Sequence, residues 1–204
     1  MTQAIYQGFI LSRQQYSSKN RQGLTLCYWL SSEYGPIKVV VENQQAVFFI
    51  AQQQQPLAQT LLAKAKIKVS FKAVNMRHFS GVDCTACYFN DSSSLYKARA
   101  QLEEQINIYE GDIRHSDRFL MERFIKGGVW VTGEALQKNG FIEITQAKLK
   151  ANPNYTPQLA SLSLDIECNA EGVLFSVGLV GNGLDCVLMI GEPQPHSNAF
   201  HIDW

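Results

Sequence analysis

The chain has 204 residues, 46% of them hydrophobic, with 18 basic and 18 acidic side chains and a formal net charge of zero. That apolar content excludes a disordered chain, and the charge balance excludes a strongly basic nucleic-acid protein while leaving room for a local basic groove. No 18-residue apolar run offers a membrane span, the start lacks the basic stretch and cleavage site of a secretory signal, and five scattered cysteines fit free thiols in a reducing cytoplasm.

The first elements are strands. "AIYQGFILSRQ", "LTLCYWLSS", "IKVVVEN" and "QQAVFFIA" are apolar or alternating runs separated by polar turns. In "QQQQPLAQTLLAKAK" Pro56 suits a helix start, and Leu57, Leu61 and Leu62 supply an apolar stripe. "IKVSFKAV" reads as a strand with Ile67, Val69 and Phe71 on one face and Lys66, Lys68, Ser70 and Lys72 on the other. "GVDCTACYF" is a further strand, "DSSSLYKARAQLEEQ" a helix opened by an Asp/Ser cap, and "INIYEGD" a closing strand. From residue 46 to 110 the order is strand, helix, strand, strand, helix, strand, which is the split βαβ pattern of a ferredoxin-like unit.

Beyond Tyr109, Ser116 is placed to cap a short helix with Asp117 in its first turn. Leu120 and Phe124 are spaced i,i+4 on one face, and Gly127–Gly128 is expected to end the helix. "VWVTGEALQKNGFIEITQAKLK" predicts a hairpin turning at Asn139-Gly140. The stretch "ANPNYTPQ" reads as a linker. A new unit then opens on "SLDIECNAEGVLFSVGLVGNGLDCVLMIG", three antiparallel strands in a meander.

The first of those strands carries Asp165 and Glu167. Alternation puts both acids on one face and Leu164, Ile166 and Cys168 on the other, toward a core. Same-face neighbours lie roughly 7 Å apart at a rise of about 3.3 Å per residue. Two carboxylates that close repel unless water or a cation intervenes, and Mg²⁺ takes one or two carboxylates plus phosphate oxygens and water. The pair therefore reads either as half of a metal-dependent phosphodiester-cleaving site or as a solvated sheet face. A D-x-E strand followed by a meander is how ribonuclease-H-like nucleases begin.

Taken together, these motifs resemble a known family. "SLDIECNAEGVLFSVGL" is similar to the first exonuclease motif of family B DNA polymerases. "INIYEGDIRHSDRFLMERFI" resembles the stretch that precedes their exonuclease domain, and "GVWVTGE" and "NPNYTPQL" fit between. The likeness runs from Gly8 to about Gly191 and is strongest to bacterial members. It implies an α+β fold: residues 1–152 as a β-rich N-terminal domain with a ferredoxin-like unit at 46–110, and 159–204 as the first strands of a ribonuclease-H-like 3′→5′ exonuclease domain. By the same resemblance Asp165 and Glu167 are catalytic acids that hold Mg²⁺ in the complete enzyme. The implied partners are template-primer DNA, dNTPs and, through regions absent here, a sliding clamp. The family's later exonuclease motifs and polymerase aspartates have no counterpart in these residues, so the chain alone is expected to be an inactive fragment, with open sheet edges that favour dimer contacts.

Further residues carry weaker signals. Archaeal relatives inspect the template with a pocket that includes an arginine at the place of Arg118. Its plainer reading is a surface helix residue near Asp117 and Glu122. Lys66, Lys68 and Lys72 form a basic edge able to follow a phosphate backbone. That edge supports an alternative function, a standalone single-stranded nucleic-acid-binding module without catalysis. A third reading is a scaffold that docks the exonuclease onto the rest of a polymerase. Cys84 and Cys87 form a C-x-x-C without a second ligand pair and read as small core residues. His78, His115, His196 and His201 show no metal-ligand spacing.

Overall fold

A computed structural model of the protein describes residues 4–17, 23–192 and 199–202. It comprises two compact units, Met1–Pro157 and Gln158–Trp204. His196 lies outside the described residues.

In the first unit the chain runs β1 (Tyr6–Ser17), β2 (Leu24–Ser31), β3 (Ile37–Gln44), β4 (Ala46–Ala51), α1 (Gln55–Lys64), β5 (Ser70–Arg77), β6 (Asp83–Phe89), α2 (Ser92–Leu102), β7 (Ile108–Tyr109), α3 (His115–Met121), β8 (Gly128–Lys138) and β9 (Phe141–Ala151). The first three strands and the last two close into a barrel in the order β1-β2-β3-β9-β8. Its interior follows from alternation: Leu26, Tyr28 and Leu30 on β2, Ile37, Val39 and Val41 on β3, and Val129 and Val131 on β8 all enter one cluster. Burying each such side chain contributes about 1.5–3 kcal/mol. Asn139-Gly140 forms a two-residue turn, with Lys138 paired to Phe141 and Gly140 at φ 84°.

The inward positions of β9 change phase from Ile144 to Ala147 because Gln146, at φ 49°, is an inserted residue. Opposite it, the β8 register slips between Thr132 and Glu134. Gly133 fills that gap, where a Cβ would meet the Thr145 carbonyl oxygen at 2.5 Å.

The remaining strands of this unit form an antiparallel sheet in the order β5-β6-β4-β7. Ala46, Phe48 and Ile50 of β4 face Ala58 and Leu62 of α1 and Leu95, Ala98 and Leu102 of α2. Val47 and Phe49 point the other way, with Cys84 and Ala86. Thus β4 is buried on both faces, as its unbroken apolar run requires. The apolar stripe of α1 is Ala58, Leu61 and Leu62, while Leu57 is 42% exposed. Asp91 caps α2, accepting hydrogen bonds from the N–H of Ser94 at 2.7 Å and its hydroxyl at 2.8 Å.

Around α3 the structure differs from expectation in three ways. The N-cap is Arg114 rather than Ser116, and the Gln15 side chain of β1 accepts from the Ser116 N–H at 3.1 Å. Phe124 lies beyond the helix at φ 53° and is 85% exposed, so it shares no buried face with Leu120. The helix ends at Met121, and Gly127–Gly128 instead leads into β8 where close approach leaves no space for a Cβ. Local pattern misplaced these residues because a neighbouring strand supplies the cap.

The second unit is a four-stranded sheet: β10 (Ser163–Cys168), β11 (Leu174–Gly181), β12 (Leu184–Ile190) and β13 (Phe200–Ile202), in that order. The first three strands are an antiparallel meander, and β13 runs parallel to β12. Asn182 and Gly183, at φ 49° and 80°, make the two-residue turn between β11 and β12. The expected core behind β10 is absent among the described residues: Leu164 is 56% and Ile166 54% exposed. A single sheet layer buries neither face without a second layer on it.

Candidate metal and nucleic-acid sites

On β10, Asp165 pairs with Gly178 of β11, and Glu167 pairs with Ser176. Directly paired residues share a face, so both acids stand beside small neighbours, and both are exposed. The Asp165 carboxylate accepts a hydrogen bond from the Ile166 N–H at 3.1 Å. Neither acid makes an ion pair among the described residues. The donors are hard oxygens open to water, which suits Mg²⁺ in kind. They are too few to enclose it: no group of three metal-ligating side chains occurs among the described residues.

Sequence reasoning passed over a third acid on this face. Asp185 pairs with Val180, which pairs with Ser163. It lies two strands across and two residues along from Asp165, about 12 Å away at ordinary strand spacing. That separation keeps it out of a shared coordination sphere. Only the register reveals the placement, since 20 residues of sequence separate the two acids.

Arg118 is not a surface residue. It is 7% exposed. Its guanidinium pairs with the Glu110 carboxylate at 2.8 Å, donates to the Glu110 carbonyl at 3.2 Å and lies 5.1 Å from the Phe49 ring centroid. Neither Asp117 nor Glu122 is its partner; Asp117 pairs with Arg13 of β1. Helix α3 packs on β1 and β2, and position 118 turns inward over Phe49 of β4. Arg118 lines a cleft of about 220 Å³ with Tyr88, His115 and Glu122. The Arg118 Nε and His115 Nδ1 are buried there without hydrogen-bond partners among the described residues. Burial, and secondarily the charge of Arg118, hold the His115 imidazole below its ordinary pKa.

The three lysines divide. Strand β5 begins at Ser70, so Lys66 and Lys68 are not on its face. Lys66 instead closes α1 in the left-handed conformation, φ 55°. Its N–H bonds the Ala63 carbonyl at 3.0 Å and the Ile67 N–H bonds that of Leu62 at 2.9 Å, a Schellman closure. Lys66 and Lys68 line a cleft of about 520 Å³ together with Lys97 of α2, whereas Lys72 is exposed elsewhere, paired in register with Ala86. Phe71 is partly buried against the helix-side cluster, so it offers no stacking surface to a nucleic acid. Nor is the opposite sheet face free, since Arg118 lies over Phe49 there.

Cys84 and Cys87 are buried in different clusters on opposite faces of β6, a geometry that cannot share a tetrahedral ion. The His78 ring stacks on Tyr109 at 4.4 Å between centroids. No helix among the described residues is long and apolar enough to cross a membrane.

The chain is 36% identical over 197 residues to DNA polymerase II of Escherichia coli (strain K12), a match covering 96% of this chain and 24% of that enzyme. It thus spans about a quarter of the length of the curated relative it matches, and the homology is to that enzyme's N-terminal part. Its fold matches the family B DNA polymerase from the hyperthermophilic archaeon Pyrobaculum calidifontis with a TM-score of 0.66, at 15% identity, over 95% of this chain and 27% of that one. No protein-family model matches the chain. The resemblance to the N-terminal region of family B polymerases is borne out, as is the strand-rich α+β class.

Proposed function

We propose that this chain is the N-terminal portion of a DNA-directed DNA polymerase with 3′→5′ proofreading exonuclease, acting in replication and repair. The likeness of nearly the whole of this chain to DNA polymerase II of Escherichia coli carries the reading. The strand order β5-β6-β4-β7, with helices after β4 and β6, supports a ferredoxin-like unit at residues 46–110. The D-x-E strand leading a meander supports the start of a ribonuclease-H-like domain at 159–204, with residues 1–152 as the preceding domain.

In that domain Asp165 and Glu167 are the acids that would hold Mg²⁺. When bound, the ion supplies charge that activates a water and stabilises the departing 3′ oxygen. The chain's own contribution is to hold two carboxylates on one sheet face, roughly 7 Å apart along the strand, beside Gly178 and Ser176, leaving them accessible to a DNA end. Two such donors give weak metal affinity and no cleavage by themselves. The polymerase partners are template-primer DNA and dNTPs, a sliding clamp engages other regions, and the open edge of β10 is a surface for dimer contacts.

The test is made in the polymerase encoded by the uninterrupted reading frame that carries these residues. Asp165→Ala with Glu167→Ala is expected to abolish 3′→5′ degradation of a labelled primer while extension persists. Undiminished degradation, or a reading frame without further exonuclease and polymerase motifs, overturns the reading.

A further inference from the structure

The cleft lined by Lys66, Lys68 and Lys97 has features that the exonuclease acids do not explain. The end of α1, the segment into β5, and the start of α2 converge on it. Its polar lining adds Gln45, Ser70, Asn90 and Ser94. None of the three lysines makes an ion pair among the described residues. The one acid in the lining is Asp91, and both its oxygens are engaged by Ser94. In a chain of zero net charge, three lysines and one aspartate line this recess, so its lining is positive on balance.

Two structural features make this recess more than a solvated face. Lys66 is held by the Schellman closure of α1, so its backbone is fixed rather than frayed. The N-terminal end of α2, an 11-residue helix, abuts the recess through Asp91 and Ser94, and the Asp91 cap fixes that edge of it. The volume, about 520 Å³, lies in the range of small-molecule sites.

From this charge complementarity we infer that Lys66, Lys68 and Lys97 form a binding site for consecutive backbone phosphates of a single DNA strand. The inference rests on the proposed role in DNA synthesis and extends it to a place where the strand is held by phosphate contact without base readout. It replaces Lys72 with Lys97 in the basic set read from sequence.

The test uses the 204-residue chain, a fluorescently labelled 12-nucleotide oligothymidylate, and EDTA throughout, so that the acids of β10 and any metal play no part. Anisotropy is followed across a salt series. Three phosphate contacts predict a log–log salt slope of about −2 for a single strand. Lys66→Ala with Lys68→Ala and Lys97→Ala is expected to bring the slope close to zero, and Lys97→Glu alone, at an exposed helix position, to weaken binding roughly tenfold or more at low salt. A matched triple on other surfaces, Lys126→Ala, Lys148→Ala and Lys150→Ala, is expected to retain the slope. Equal loss in both triples means bulk charge and overturns the inference. So does a wild-type slope in the cleft triple, or equal affinity for a 12-base-pair duplex. Because no metal or exonuclease activity is read, such a failure leaves the polymerase assignment standing, and failure of that assignment leaves this binding measurable.

Discussion

Arg118 of α3 and Glu110, the residue after β7, are joined twice: carboxylate to guanidinium at 2.8 Å, and carbonyl to guanidinium at 3.2 Å. A short helix is thereby tied to the end of the β5–β7 sheet, with Phe49 beneath the guanidinium. Arg118→Ala is expected to lower the unfolding free energy by about 1–3 kcal/mol, read as a reduced urea midpoint. Since Glu110 is half exposed, water takes over much of its lost partner. A change within about 0.5 kcal/mol would mean the arginine behaves as a surface residue.

His115 gives a pH dependence with a definite sign. Burial first, then the neighbouring Arg118 charge, depress its folded pKa below the ordinary 6.5. Glu122 and Tyr88 line the same cleft. The unfolded chain therefore takes up this proton first as pH falls. The contribution is fully present above about pH 6.5 and is lost as pH drops through the lower folded value, at up to about 1.4 kcal/mol per pH unit. His115→Asn is expected to flatten the urea midpoint between pH 6.5 and 5 relative to the parent chain. An unchanged slope would show that other groups titrate there.

The five thiols are expected to separate by burial. Burial pushes the Cys87 thiol up to about 12 and also raises that of Cys27. Cys84 is buried too, while Cys168 is exposed and Cys186 intermediate. A disulfide-exchange reagent at neutral pH is expected to label Cys168 and Cys186 in the native protein, and the other three only after denaturation. Rapid native labelling of Cys84 or Cys87, or zinc retained through gel filtration, would contradict their placement in two separate clusters.

Removing the acids of β10 is expected to be neutral or slightly stabilising. Both are exposed and repel one another. Asp165→Asn with Glu167→Gln is predicted to move the unfolding free energy by no more than about 0.5 kcal/mol, measured by denaturant titration. A large loss would assign the pair a structural role instead.

Gly133→Ala tests the barrel bulge. The new Cβ would meet the Thr145 carbonyl oxygen and the Ile144 side chain at 2.5 and 2.6 Å. Displacing strand backbone is expected to cost about 1–3 kcal/mol, visible as a lower thermal midpoint. Gly140→Ala, with open space around it but φ 84°, should cost about 1 kcal/mol through backbone strain alone.

Residue pattern alone determined the order and type of most elements, the Asn139-Gly140 turn, the cap at Asp91 and the shared face of Asp165 and Glu167. Each is set by contacts a few residues apart in the chain: alternation, side-chain caps and the φ that glycine allows. What lay beyond it was decided by partners distant in sequence. Closure of the barrel depends on β3 meeting β9, about a hundred positions later. The capping of α3 depends on Gln15. The burial of Arg118 depends on Phe49 and Glu110, and the basic cleft depends on Lys97 approaching Lys66 and Lys68 while Lys72 faces elsewhere. Periodicity tells which side chains share a face; only tertiary packing determines what that face meets, and hence which charges are neutralised and which remain for a ligand.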